Sequence, residues 1–371
     1  MKKVLILGGS HRDIPLIETL QKLNYYVITL GDRDYYIGHK FSDKYYKINF
    51  NDLKSIENII NKEKIDYIIS GSGEESLYNS ALLAHKFNLG NYDKLETIKL
   101  VHNKYLFKQF CIENNILVPK GSQNYKNLDF PIIIKPQTLS GGRGVKVVYN
   151  EEELLEELEY SKQFSEKILF EEFIEGEILA YSIIIKNQKI LYEFLAKDKT
   201  YLNPYLISTA STYEDDISSL KQDVEKIIKK LKLVDGAFHL QVIKKDNKLY
   251  IMDVTRRIAG DLFPYLIECS DEVNYTEMVL KAYMGLDFDV KKDKKNYVIR
   301  HCVMPKTNGI YQGLESEIEY CLRLDLAKKG DKIIDNIHTH TNILLFKFKT
   351  YNEMNNILNN INNLVYAKIK D

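Results

Sequence analysis

The chain has 371 residues, with 52 Lys plus Arg against 52 Asp plus Glu and a formal net charge of zero. That length predicts two or three structural units around a sizeable core, and the lack of a basic surplus or stripe excludes nucleic acid as the principal ligand. The opening apolar run stops at Leu7 and no later run reaches the length of a membrane span, so the expectation is a soluble, cytoplasmic protein without a membrane partner. The four cysteines, Cys111, Cys269, Cys302 and Cys321, lack the paired spacing of zinc or redox motifs and read as reduced and structural.

Residues 2–90 alternate strand and helix signals: VLIL, a helix from about Arg12 to Leu23, YYVITL, a helix from Asp52 to Glu63, IDYIIS, and a helix from about Glu74 to Phe87. The strands are short continuous apolar runs, and Leu53, Ile56, Ile59 and Ile60 share one helical face, the pattern of a parallel, doubly wound α/β unit. Such sheets bind ligands at the carboxyl ends of their strands, where Gly8, Gly9, Ser10, His11 and Gly71 to Glu75 fall. A dinucleotide fingerprint is not predicted, because His11, Arg12 and Asp13 follow Ser10 where G-x-G-x-x-G would continue.

A helical connector, Asn103 to Asn114, leads into a strand-dominated stretch from Pro131 to Leu195 that is interrupted by the acidic helix Glu151 to Tyr160. Within it, FPIIIKPQTLSGGRGV (130–145) delivers Lys135 on an apolar strand, ends that strand at Pro136, and turns through Ser and Gly. Glycines admit close backbone approach, clustered N–H groups supply donors and the lysine adds a point charge, so the segment reads as a phosphate cradle. By itself the same pattern also suits a plain Gly-rich turn between strands. A helix over Asp216 to Leu231 follows, with Ile217, Leu220, Val224, Ile227 and Leu231 on one face. Strands Ala237 to Lys244 and Lys248 to Thr255 then flank the hairpin signal Asp246-Asn247, and the remainder from Asn296 reads as a small α/β lid with a helical tail.

Lys104 opening a helix, Lys135 before the Gly loop, LFEEFIEGE (169–177), and AFHLQV paired with LYIMDVTRRIAGD occur in an order and spacing that resembles an ATP-grasp enzyme across nearly the whole chain. The resemblance is to the carboxylate–amine ligase type, similar to amino acid ligases and carbamoyl-phosphate synthase-like proteins. It implies an α/β fold: a doubly wound parallel pre-ATP-grasp sheet over 1–95, a two-subdomain α+β ATP-grasp fold over 96–290, and a small C-terminal lid over 291–371.

The resemblance also assigns roles. Lys104, Lys135, Ser140, Gly141 and Gly142 are expected to contact ATP phosphates, and Glu171, Glu172, Phe173 and Ile174 to hold adenine through backbone groups and an acidic side chain. Glu177 is the ribose candidate, one place before the family's usual position, which Ile178 occupies. Strand alternation puts His239 with Gln241 and Asp253 with Thr255, so paired strands would converge oxygens suited to magnesium. The family pattern is a glutamate and Glu-x-Asn; here Gln241, Asp253 and Thr255 stand in those places as expected ligands of Mg2+, with Mn2+ as an alternative. Arg257 matches the arginine that reaches the transferred phosphate or the substrate carboxylate, and Arg256 reads as an exposed neighbour.

The implied chemistry is phosphorylation of a small carboxylate by ATP and attack of an amine on the acyl phosphate, with Lys135 and Arg257 catalytic. His11, Glu74 and Arg300 are candidate substrate contacts, each with a plainer reading as a helix-start or polar surface residue. No side chain stands out as a general base. A sensor or adaptor that binds ATP without ligation, and a small-molecule kinase, are the competing readings. Homodimers are common among such enzymes, and a homodimer is a further expectation.

Overall fold

The computed structural model describes residues 1–137, 142 and 144–370. The N-terminal unit runs β1 (Lys3–Leu7), α1 (Ile14–Lys22), β2 (Tyr26–Gly31), β3 (Lys44–Lys47), α2 (Leu53–Glu63), β4 (Tyr67–Ser70) and α3 (Glu74–Phe87). Its strands form a parallel sheet in the order β3-β2-β1-β4. Val4, Leu5, Ile6 and Leu7 are all fully buried, as a strand covered by helices on both faces requires. Asp52 caps α2 by accepting a hydrogen bond from the Ser55 N–H at 3.1 Å. The first helix begins at Ile14 rather than Arg12, because His11–Asp13 form a 3-10 turn.

Two short helices, α4 (Leu95–His102) and α5 (Lys104–Glu113), meet at Asn103, which is extended and caps α5 through the Leu106 N–H at 3.0 Å. Next come β5 (Gly121–Ser122), β6 (Ile132–Pro136), β7 (Lys146–Val148), α6 (Glu151–Lys162) and β8 (Ile168–Glu172). They build a four-stranded sheet in the order β5-β8-β6-β7 around its own small core of Ile132, Ile134, Val148, Leu154, Ile168 and Phe170.

The rest of the chain contains β9 (Glu177–Lys186), β10 (Lys189–Thr200), β11 (Ile207–Thr212), α7 (Ser218–Leu231), β12 (Gly236–Lys245), β13 (Lys248–Thr255), α8 (Phe263–Asp271) and α9 (Tyr275–Tyr283). After these come β14 (Tyr297–Val303), β15 (Gly309–Ser316), β16 (Leu322–Asp325), β17 (Lys332–Ile333), β18 (Asn342–Phe348), α10 (Tyr351–Leu364) and β19 (Val365–Lys370). An antiparallel eight-stranded sheet runs β13-β12-β9-β10-β11-β14-β18-β16. At the β12–β13 turn Asp246 and Asn247 both adopt positive φ, 49° and 60°, which short polar side chains tolerate.

The tail departs from the helical expectation at Val365, where α10 gives way to β19. VYAKIK alternates apolar and polar residues and pairs with β15. The strand pairing Thr209↔His301 and Ala210↔Arg300 carries the large sheet across residue 290, where a lid boundary is expected. One face of that sheet shares a core with the N-terminal unit through α8 and α9, and the other packs α5 and α7. Among the described residues no helix is long and apolar enough to cross a membrane.

Candidate active site

The crevice above β1 and β4 is closed by its own side chains. Asp13, 2% exposed, accepts from the N–H groups of Gly9 and Ser10 at 2.9 Å each through Oδ2. Its Oδ1 accepts from the N–H and hydroxyl of Ser72 at 2.8 Å. The donors that would cradle a phosphate in a dinucleotide fold are therefore already used, and the crevice offers its rim instead, His11 and Glu74.

The cationic cluster lies where α5, β6 and β8 converge. Lys135 donates to Glu171 Oε2 at 2.7 Å, and Lys108 Nζ lies 3.2 Å from Glu171 Oε1. The Lys108 and Glu171 side chains are 2% and 1% exposed. Burial opposes the charge on Glu171, but the two ammonium groups outweigh it and hold the carboxyl below its ordinary value. Sequence reasoning missed Lys108, although it falls four residues after Lys104 and three before buried Cys111, on one helical face.

That cluster changes what the β8 segment offers a base. The Glu171 carboxylate is committed to the two lysines. Glu172 and Phe173 donate their N–H groups to the carbonyls of Lys120 and Pro131 at 2.9 and 3.1 Å, and the Glu172 carboxylate accepts from the Lys120 N–H at 2.8 Å. Ile174 is buried, and Glu177 is ion-paired with Lys197.

The hairpin register pairs Gln241 with Asp253 and His239 with Thr255. Asp253 Oδ2 sits 3.5 Å from Lys104 Nζ, and the Asp253 side chain is 42% exposed. Desolvation in the cleft opposes its charge, yet Lys104 and Lys135 prevail and hold it below the ordinary aspartate value. Thr255 Oγ1 is buried and has no hydrogen-bond partner among the described residues. Among the described residues no three His, Cys, Asp or Glu side chains group as a metal site. Magnesium is often held by one or two carboxylates plus substrate phosphates, so an Asp253 carboxylate with the Gln241 and Thr255 oxygens is an adequate donor set.

Glu74, in the first turn of α3, joins this field: burial and then Asp253 push its carboxyl up, while Arg257 and Lys104 pull it down. Arg257 donates to the Ile258 carbonyl at 3.1 Å, and its buried Nε has no hydrogen-bond partner among the described residues. Arg256 is not an exposed neighbour. It is 5% exposed and donates to Asp93 Oδ2 at 2.7 Å and to the Val234 carbonyl at 2.7 Å, which makes it a brace between α4's approach and β12.

Beyond Arg257 the chain reverses through Asp261 and Leu262, at φ 51° and 56°. The Asp261 carboxylate pairs with His11 Nε2 at 3.1 Å and Arg12 Nε at 3.0 Å, and its carbonyl lies 3.5 Å from Arg300 Nη1. His11 and Arg300 are thus brought to one residue. His239 stacks edge-on against Phe263 and bonds Ser182 at 2.6 Å; burial, with help from Arg257, pushes its imidazole down to about 4 and keeps it neutral. Of the Gly-rich loop, Ser140 and Gly141 lie outside the described residues. Gly142 has φ +73°, and a Cβ there would fall 2.7 Å from the Tyr205 carbonyl, so only glycine fits against the β10–β11 turn.

A family profile described as "ATP-grasp domain" matches residues 101–261. The chain contains an ATP-grasp domain. The profile spans every element that presents Lys104, Lys135, Glu171, Gln241 and Asp253. The carbamoyl phosphate synthase large chain of Clostridium beijerinckii is 24% identical over 316 residues, covering 76% of this chain and 29% of that protein. The chain therefore spans under a third of that relative's length. The L-amino acid ligase of Bacillus licheniformis superposes with a TM-score of 0.83 at 15% identity, covering 100% of this chain and 99% of the other. The biotin carboxylase domain dimer of Hydrogenobacter thermophilus 2-oxoglutarate carboxylase, solved with ADP, magnesium and bicarbonate, superposes at 0.79 with 15% identity, covering 100% and 91%. At these identities the structural likeness establishes the ATP-grasp fold.

Proposed function

We propose that this protein is an ATP-dependent carboxylate–amine ligase that acts on small metabolites through an acyl phosphate. The observation that carries the reading is the convergence of Lys104, Lys135, Asp253, Glu74 and Arg257 at one cleft in an ATP-grasp domain. In this reading Lys104 and Lys135 hold the phosphates together with Ser140, Gly141 and Gly142, and the segment from Glu171 through Phe173 and Ile174 to Glu177 borders the base and ribose. Gln241, Asp253 and Thr255 would hold magnesium or manganese, which when bound neutralises phosphate charge.

A carboxylate oxygen of the acid attacks the γ-phosphorus and the bond to ADP breaks. The neutral amine nitrogen then attacks the acyl carbon, the carbon–oxygen bond to phosphate breaks, and phosphate leaves carrying the proton lost from nitrogen. Lys135 is held in place by Glu171 and supplies positive charge at the transferred group. Arg257, whose Nε has no hydrogen-bond partner among the described residues, offers a fork for a carboxylate or phosphate. His11, Glu74 and Arg300 line the side from which the acid and amine approach.

The test is magnesium-dependent ADP release with pooled amino, hydroxy and sugar acids, with hydroxylamine replacing the amine. A hydroxamate supports the ligase and names the acid. A stable phosphoester would instead identify a kinase. Tight ATP binding with no turnover would identify a sensor, the reading favoured by Gln241 and Thr255 standing where a carboxylate and an asparagine are usual.

A further inference from the structure

Three neighbouring strands set Asp198, Ala210 and Arg300 in one row. Asp198 on β10 is the cross-strand partner of Ala210 on β11, and Ala210 is the partner of Arg300 on β14. Cross-strand partners project from the same face, so a carboxylate and a guanidinium flank a methyl group, with Cα atoms two strand spacings or roughly 10 Å apart. Asp198 is 6% exposed and Arg300 2%. Each acts on the other's charge, yet among the described residues Asp198 Oδ1 and Arg300 Nε both lack a hydrogen-bond partner. Among the described residues the guanidinium hydrogen-bonds only the Asp261 carbonyl, at 3.5 Å, and Cys302 Sγ, at 2.8 Å, while the Asp261 carboxylate acts on it through charge alone. Opposite charges that are buried and left unjoined are costly, and a ligand with one positive and one negative end would relieve both.

The row also has a direction. Ala196 shares the Asp198 face and leads through Ala180 to Gln241 and Asp253. Across the sheet, Asp198 is therefore nearer the candidate metal ligands and Arg300 farther from them.

We propose that Asp198 and Arg300 clamp the two ends of a zwitterionic α-amino acid, the ammonium on Asp198 and the carboxylate on Arg300. The amino group then faces the phosphoryl side, so this amino acid is the amine partner. In the step, the ammonium first gives one proton to Asp198, the freed nitrogen lone pair bonds the acyl carbon, the carbon–oxygen bond to phosphate breaks, and the departing phosphate takes the second proton from nitrogen. Burial lifts the Asp198 carboxyl to about 7, partly offset by Arg300, which suits it to that exchange. The amine role rests on the ligase reading above; binding by the clamp does not.

The test is calorimetric binding of each proteinogenic L-amino acid, its N-acetyl derivative and its carboxamide to the full chain with magnesium and a non-hydrolysable ATP analogue. The expected result is that one or more amino acids bind, that both derivatives bind about 30-fold more weakly, and that Asp198→Asn and Arg300→Met each lose a similar factor while still binding the analogue. Should either variant fail to fold, the wild-type derivative series decides alone. The clamp is overturned if no amino acid binds, or if the N-acetyl or carboxamide form binds as tightly as its parent. Amino acid binding with no ADP release or hydroxamate would sink the ligase reading and leave the clamp, whereas a hydroxamate from other acids with no amino acid bound would do the reverse.

Discussion

The chain buries opposite charges in two places and treats them differently. Around Glu171 the carboxylate is met on both sides, by a hydrogen bond from Lys135 at 2.7 Å and an ion pair with Lys108 at 3.2 Å that lacks hydrogen-bond geometry, so its charge is compensated without a ligand. Around Arg300 the carboxylates of Asp261 and Asp198 act on the guanidinium only through their charge, and among the described residues Asp198 Oδ1 and Arg300 Nε stay without a hydrogen-bond partner. A site that must be rigid before substrate arrives uses the first arrangement; a site that must take in charge uses the second. Glu171 fixes a lysine, whereas Asp198 and Arg300 are the pair that the proposed amino acid would join.

The largest effect should come from breaking the satisfied side at its functional member. Lys135→Met should lower ADP release by about 100-fold or more, since one preorganised charge at the transferred group is worth that much. The variant should remain folded by circular dichroism, because Lys108 still compensates Glu171. Asp253→Asn should cost about as much and raise the magnesium concentration needed for half-maximal activity. Lys108→Met sharpens the contrast. It touches no substrate in the proposed mechanism, yet it should destabilise the fold by about 3 kcal/mol in urea titration, because it leaves a buried carboxylate half-compensated. If that variant were as stable as the parent, the paired cluster would not be holding the fold.

The smallest effects are in pH dependence, and they carry opposite signs on the two kinds of group. Burial, with Arg300 adding, pushes His301 down to about 3. The unfolded chain then takes up this proton first, so His301 contributes stability that is complete above about pH 6.5 and declines as pH falls. Asp198 is lifted to about 7, so the folded chain takes up its proton first and the contribution fades as pH rises from about 4 to 7. Between pH 7 and 5, His301→Gln should flatten the loss of stability and Asp198→Asn should steepen it, each by on the order of 1 kcal/mol in urea titrations.

Where a short-range rule applies, the sequence was readable. The α3 helix from Glu74 to Phe87 follows from an acidic first turn and a φ-positive Asn88 that ends it. The hairpin at Asp246-Asn247 and its register out to Val242 and Ile251 follow from the two-residue turn, but carried on unbroken that register would pair Gln241 with Met252; the shift between Gln241 and Val242, which alternation does not foretell, brings Gln241 opposite Asp253. Lys108 was overlooked because a lysine in an amphipathic helix ordinarily faces water; its burial depends on Glu171, 63 positions away in a different sheet layer. Asp198 was invisible for a stronger reason. Its meaning needs the registers of β10, β11 and β14 at once, and the last of these pairings joins residues about 90 positions apart. Arg256 and Arg257 are adjacent and alike, and only the location of Asp93 decides which of them becomes the brace.

The seam between β11 and β14 has a practical consequence for anyone who wishes to trim the protein. Ile207 to Thr212 reads ISTAST, uncharged and rich in β-branched residues, and its outer edge is covered only by β14. A fragment ending before Tyr297 would lay bare a row of unpaired amide and carbonyl groups on a strand with no lysine or proline to discourage a neighbour. Its characteristic failure would be edge-to-edge polymerisation rather than unfolding.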